Sequence, residues 1–206
     1  MLNEVKKRSF NTKKSSEKFT KIVSAAAEIF RIKGYKEATL EDIANEVGML
    51  KGSLYYYISK KDDLLYEVVQ RPLYEMTINL KNIAESQSSP TEKLERALKN
   101  HVDSFEKYQS ELFVWISIEW FHSDFGGEIA DLGNEYDRLF RKIILEGVET
   151  NNFRNDLDPK LMVFAIFGIY NYMQRWYSTE SHYSMDEIGK QFEKFVRQAV
   201  ANFDKR

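Results

Sequence analysis

Apolar residues recur along the chain at intervals of three and four, and no stretch sustains the period-two alternation of a half-buried strand. That pattern predicts an all-helical protein of about nine helices. A first helix is expected over 16–33, with Ile22, Ala26, Ile29 and Phe30 as one stripe and Gly34 as its stop. A second opens at Thr39, with Asp42 placed to complete a capping box, and turns Leu40, Ile43, Ala44 and Val47 inward before Gly48. A short third helix is expected over 50–57. Ser59 with Asp62 reads as the start of a long fourth helix that carries Pro72 inside it and reaches Ala84.

Ser89-Pro90 with Glu92 two residues on marks the fifth start, for a helix running to about Tyr108. A sixth is expected over 111–123, a turn at HSDFGGE, and a seventh over 128–150. Asp158-Pro159 opens an eighth that ends near Tyr177, and Ser184 with Glu187 caps a ninth that reaches Phe203. Three segments follow from this layout: a basic arm over 1–15, a compact module over 16–66, and a helical bundle over 67–206.

Composition narrows the chemistry. The 206 residues include no cysteine, so disulfides and thiolate sites are excluded and a reducing, cytoplasmic setting is expected. The opening MLNEVKKRSF lacks an apolar run like that of a signal peptide. Leu161 to Tyr177 is apolar but short for a bilayer span and interrupted by Asn171, Gln174 and Arg175, so it reads as a buried helix rather than a membrane anchor. Charge is uneven: residues 1–66 hold 13 Lys/Arg against 9 Asp/Glu, whereas 67–206 hold 17 against 23. The basic end suggests a polyanionic partner. Lys6, Lys7, Arg8, Lys13 and Lys14 could follow a nucleic-acid backbone or form a solvated tail.

The run KGSLYYYISKKDDLL, 51–65, places three tyrosines in succession. At 3.6 residues per turn Leu54 and Ile58 share one face and can pack on Phe30, Ile43 and Val47, which turns Tyr55 and Tyr56 outward and leaves Tyr57 between. A short helix after a glycine turn, braced by a first helix, is the helix-turn-helix arrangement, in which the second short helix enters the major groove. Outward phenols suit phosphate and sugar. Taken alone, the three tyrosines are equally compatible with an amphipathic surface helix.

Residues 20–65, about a quarter of the chain, resemble the DNA-binding domain of the TetR family of bacterial transcriptional repressors. FRIKGYKEATLEDIANEVGMLKGSLYYYISKKDDLL follows the family pattern element by element, with Met49-Leu50 and Ile58 as departures. The resemblance implies a two-fold dimer on a palindromic double-stranded DNA operator. It implies DNA contacts from Thr39, Lys51, Gly52, Ser53, Tyr55, Tyr56, Tyr57 and Lys61.

The remainder should then supply an effector site and a dimer surface. Aromatics crowd it, and Tyr74, Met76, Trp115, Phe167, Tyr170 and Met173 are expected to line an apolar pocket. Arg175 beside Trp176 suits a phosphate and an adenine ring, and QRWYSTESHYSMDEI is similar to the C-terminal helices of TetR members that sense CoA thioesters. The effector is expected to be a small hydrophobic ligand, with an acyl-CoA as one candidate and a free hydrophobic acid or drug as another. Gly168, Phe192, Phe195, Val196 and Val200 form the expected dimer stripe, which could equally pack inward. The fourth helix would carry the effector signal to the DNA-reading module.

No enzyme or cofactor is expected. Glu119 and His122 make a single Glu-x-x-His pair where a di-iron bundle needs two, and no nucleotide-binding glycine motif or nucleophile elbow occurs. A helical interaction protein without DNA binding is the contrasting reading.

Overall fold

A computed structural model describes residues 17–119, 127–177 and 182–202. The described residues form nine α-helices: α1 (Glu17–Lys33), α2 (Leu40–Glu46), α3 (Lys51–Leu54), α4 (Lys61–Ala84), α5 (Pro90–Lys107), α6 (Gln109–Glu119), α7 (Glu128–Glu149), α8 (Pro159–Asn171) and α9 (Met185–Val200). A 3₁₀ turn, Tyr172–Arg175, extends α8. Among these residues the β content is one isolated bridge, Phe153 to Ala201. Among the described residues no helix is long and apolar enough to cross a membrane. The basic arm and the HSDFG stretch of the turn, with Trp120, Phe121 and Phe125, lie outside the described residues.

Most of the expected caps close as the sequence requires. Thr39, Ser89 and Ser184 each form a full capping box, with Asp42, Glu92 and Glu187 returning the bond to the cap backbone. Asp158 caps α8 by accepting from the amide of Leu161 at 2.9 Å. The expected Ser59–Asp62 box does not form. Asp63, one residue later, accepts from the amides of Ser59 and Lys60 at 2.8 and 3.1 Å, which frees Asp62 for the Tyr35 hydroxyl and the Lys60 ammonium.

The chain divides into two compact units, one through Leu73 together with Ser110–Asp131, the other Tyr74–Gln109 together with Leu132 onward. The division in α4 falls one residue past Pro72, which has no N–H to give the carbonyl of Val68. In the first unit, Ser110 donates to Glu28 on α1 at 2.8 Å and Tyr66 on α4 donates to Glu128 at 2.5 Å. These long-range side-chain bonds tie Ser110 and Glu128 to the N-terminal helices.

The second unit is built on α5, whose buried face runs through Leu94, Ala97, Leu98, His101, Val102 and Phe105. Helix α9 lies against it where Gly189 brings its backbone close to Val102. Lys93, 5% exposed, pairs with Glu146 on α7 at 2.8 Å, and Arg197 on α9 reaches Glu95 at 2.9 Å.

Candidate nucleic-acid interface and the core of the second unit

The short helices of the first unit are held by three anchors. Ile43 and Ala44 of α2, with Leu54 and Ile58 around α3, are buried beneath the surface together with Phe30 of α1. Leu40 and Val47, expected inside, are half-buried, because α2 ends after seven residues and its first and last turns face the rim. Lys33 at the end of α1 bonds Asp42 at 2.7 Å. That bond, followed by the capping contacts of Thr39, holds the Asp42 carboxyl down at about 2. Between α2 and α3 the chain turns at Gly48 with φ of +65°, a conformation that a side chain disfavours.

With Leu54 and Ile58 pinned inward, Tyr55 and Tyr56 project, 53% and 60% exposed. Tyr57 is half-buried, stacked on Phe19 at 6.0 Å and edge-on to Tyr56 at 5.2 Å. Lys51, Gly52 and Ser53 are exposed on α3. No atom lies within 4 Å of where a side chain would begin at Gly52. Neither packing within the protomer nor its backbone angle therefore demands glycine there.

Two expected contact residues are otherwise engaged. Thr39 gives its hydroxyl proton to Asp42 at 2.9 Å while accepting from the Asp42 amide at 3.1 Å, so no proton remains for a phosphate. Lys61 departs further from expectation. Its ammonium donates to the carbonyls of Tyr35, Lys36 and Ala38 at 2.7, 3.2 and 2.9 Å and stands 4.5 Å over the Tyr35 ring. All three donors are saturated, and Lys61 is a clamp on the loop between α1 and α2. Tyr35 in turn donates to Asp62, and this bond with that of Lys60 keeps the Asp62 carboxyl below its ordinary range. No local spacing signals this clamp, since the carbonyls lie 23–26 residues upstream.

The core of the second unit has a polar thread. Asn100 donates to the carbonyl of Met76 at 3.0 Å. His101 meets the Tyr136 hydroxyl through Nδ1 at 3.1 Å and Asn171 Oδ1 through Nε2 at 3.3 Å. Asn171 Oδ1 only accepts, so Nε2 carries the ring hydrogen and Nδ1 accepts from the Tyr136 hydroxyl. Burial pushes the His101 pKa down to about 4, against a weaker opposing effect of Asn171, and raises that of Tyr136. Rings enclose His101: Phe167 stacked at 5.7 Å, with Phe105, Phe140 and Tyr170 tilted or edge-on within 6.4 Å.

Of the expected pocket residues, Met76, Phe167, Tyr170 and Met173 belong to this unit, with Met76, Tyr170 and Met173 buried and Phe167 half-buried. Tyr74 is half-buried; Arg175 and Trp176 are exposed at the end of the 3₁₀ turn. Trp115 falls in the first unit. Of the dimer stripe, Gly168 and Phe195 are exposed and Phe192 is half-buried, edge-on to Tyr170. Val196 and Val200 are 0% and 2% exposed, so they belong to the protomer core. The stripe splits because α9 is covered along one side by α5 and α8. Among the described residues no cluster suited to a metal ion occurs.

Residues 22–68 match the family model of bacterial regulatory proteins of the tetR family, and residues 87–200 match that of the tetracyclin repressor-like C-terminal domain. The HTH-type transcriptional repressor KstR2 of Mycolicibacterium smegmatis is 26% identical over 180 residues, spanning 83% of this chain and 84% of its own. The solved structure of the ketosteroid transcriptional regulator KstR2 of Mycobacterium tuberculosis superposes with a TM-score of 0.83 at 22% identity, covering 91% of this chain and 96% of that one. AibR in complex with isovaleryl coenzyme A and operator DNA gives a TM-score of 0.72 at 19% identity over 88% of this chain and 97% of that one, a likeness of fold. With both halves matched and the helix-turn-helix formed, the chain belongs to the TetR family of bacterial transcriptional regulators.

Proposed function

We propose that the protein is a dimeric repressor that reads a palindromic operator through α3 and releases it when an apolar effector binds the second unit. The observation that carries the DNA reading is the α3 surface. Tyr55 and Tyr56 stand out from a buried Leu54–Ile58 footing, beside Lys51, Ser53 and a Gly52 that nothing inside the protomer requires. Tyr57 supports them from below. The phenols donate to phosphate oxygens, Lys51 adds charge, and Gly52 admits the DNA backbone.

Two half-sites need two recognition helices about 34 Å apart, and so a dimer. The surface that suits it is the exposed apolar set Leu161, Phe164 and Tyr172 with Phe195, around the open Gly168. A CoA thioester is the effector class we favour. Arg175 and Trp176 lie together and exposed at the end of α8, a basic and aromatic pair suited to phosphate and adenine, and a protein of the same fold has been solved with isovaleryl coenzyme A. Helix α4 spans both units and provides the covalent route from effector to α3.

Fluorescence anisotropy with genomic fragments, with and without a panel of CoA esters, tests this reading. We expect operator binding that weakens at least ~10-fold with the right ester, an effector coupling of about 1–3 kcal/mol. Tyr56→Phe should weaken operator binding by roughly 1 kcal/mol while leaving helicity unchanged. Unaltered affinity in a folded Tyr56→Phe protein contradicts the role given to that hydroxyl, and indifference to every ester contradicts the effector class.

A further inference from the structure

Leu50 is the N-cap of α3, in extended backbone with φ of −72° and ψ of 139°, and its side chain makes no capping bond. An apolar residue is among the poorest choices at that position, where Ser, Thr, Asp or Asn would accept from a first-turn amide. The side chain takes no part in the core either. Leu50 is 81% exposed, more than any other large apolar residue among those described. Leucine here therefore serves neither the cap nor the packing of the protomer, and it is one of the positions at which the chain departs from the TetR pattern.

The backbone around it is fixed. Met49, half-buried, bonds its amide to the Ala44 carbonyl at 2.8 Å and ties the turn to α2. The Ser53 amide donates to the Leu50 carbonyl at 2.8 Å and closes the first turn of α3 on it. Leu50 thus opens the row of exposed residues Lys51, Gly52 and Ser53 that leads to Tyr55 and Tyr56.

The surroundings decide what can cover this side chain. Leu161, Phe164, Tyr172 and Phe195 offer a second copy of the chain a whole apolar set. Leu50 is instead a single apolar group at the head of a polar and basic row, too small for the contiguous patch that a protein partner covers. The major groove has the matching pattern. Its base edges present nitrogen and oxygen groups throughout, with one apolar exception, the C5-methyl of thymine.

We propose that Leu50 is a specificity-determining residue that packs on the C5-methyl of one thymine in each operator half-site. The inference rests on the reading of α3 as the recognition element and assigns one base of the half-site. Leucine has nothing to exchange for the water at guanine N7 or at the amines of adenine and cytosine. Any of these opposite Leu50 would lose hydration without recovering it. Thymine is thus favoured both by its methyl group and by the cost of the alternatives.

Duplexes that the full chain retains from a randomised pool supply the probe, and deoxyuridine in place of thymine removes one methyl at a time without altering the pairing. By fluorescence anisotropy we expect one thymine in each half-site whose replacement weakens parent binding about 4-fold, and ~10-fold or more when both are replaced, as burial of one methyl group and then two implies. Leu50→Ala should weaken binding to the thymine duplex by a similar factor and respond less than about twofold to that replacement, while keeping the parent's sensitivity at other thymines. Leu50→Ser, which restores a capping side chain, should lose the same preference without losing stability. Neither variant should change the salt slope, since a methyl contact releases no counterion.

A methyl response that is the same in the parent, Leu50→Ala and Leu50→Ser proteins overturns the inference and leaves α3 as the DNA reader. An affinity loss that is equal on the selected duplex and on unrelated DNA also overturns it, and marks a structural role. A loss confined to duplexes long enough for two dimers overturns it in favour of a protein contact. If the full chain retains no duplex at all, the reading of α3 falls together with it.

Discussion

Lys61 illustrates how one residue's type can be legible and its work hidden. A lysine at the start of α4, near a recognition helix, suggests a phosphate contact, yet its three donors are occupied by the loop carbonyls of Tyr35, Lys36 and Ala38. Hydrogen bonds from a charged donor contribute about 1.5–3 kcal/mol, lowered here because the ammonium is only partly buried. Lys61→Met should therefore destabilise the protein by roughly 1–3 kcal/mol in urea unfolding. It should also weaken operator binding without changing the slope of log affinity against log salt. A phosphate contact would instead lower that slope by about one. The same side chain thus gives two separable readouts, and a changed slope with unchanged stability would restore the phosphate role.

At the scale of an element, the meeting of α7 with the chain that follows it rests on a missing side chain. A Cβ on Gly147 would stand 2.0 Å from the ring of Phe153, itself 2% exposed, and the Phe153 amide donates to the Gly147 carbonyl at 2.9 Å. Phe153 also makes the backbone bridge to Ala201 just past α9, so this stretch holds the end of one helix to the end of another. Gly147→Ala would gain up to about 1 kcal/mol of helix propensity. Displacing a packed ring costs about 1–3 kcal/mol or more, and the clash should win. A net loss of ~1–2 kcal/mol by chemical denaturation is the expected result, with operator affinity unaffected; a variant more stable than the parent would contradict the packing argument.

For the molecule as a whole, the buried thread sets how stability responds to acid. The folded-state pKa of His101 is depressed to about 4 from its ordinary 6.5, so between those values the unfolded chain binds a proton that the folded one refuses. Stability is fully retained above pH 6.5 and declines as pH falls toward 4, by about 2 kcal/mol at pH 5 if nothing else titrates. Glu111 opposes this, because burial raises its carboxyl and acid relieves the strain of its charge; the Asp42 contribution is lost only as pH approaches about 2. Urea unfolding at pH 7 and pH 5 should show the loss, and a His101 resonance that titrates near 6.5 in the folded protein would contradict it.

The all-helical class, the helix starts at Thr39, Ser89, Asp158 and Ser184, and the outward turn of Tyr55 and Tyr56 were determined by the sequence by itself. Each depends on residues within about four positions of one another, where helical period and capping chemistry act directly. The tertiary structure alone decided which face of α9 is core, so that Val196 and Val200 are buried while Phe195 stays exposed. It also decided that Asp63 rather than Asp62 caps α4, that Lys61 closes a distant loop, and that Tyr136, His101 and Asn171 line up as one thread. Those outcomes depend on which groups from remote parts of the chain arrive to compete for a partner, and periodicity along a single helix carries no record of its neighbours.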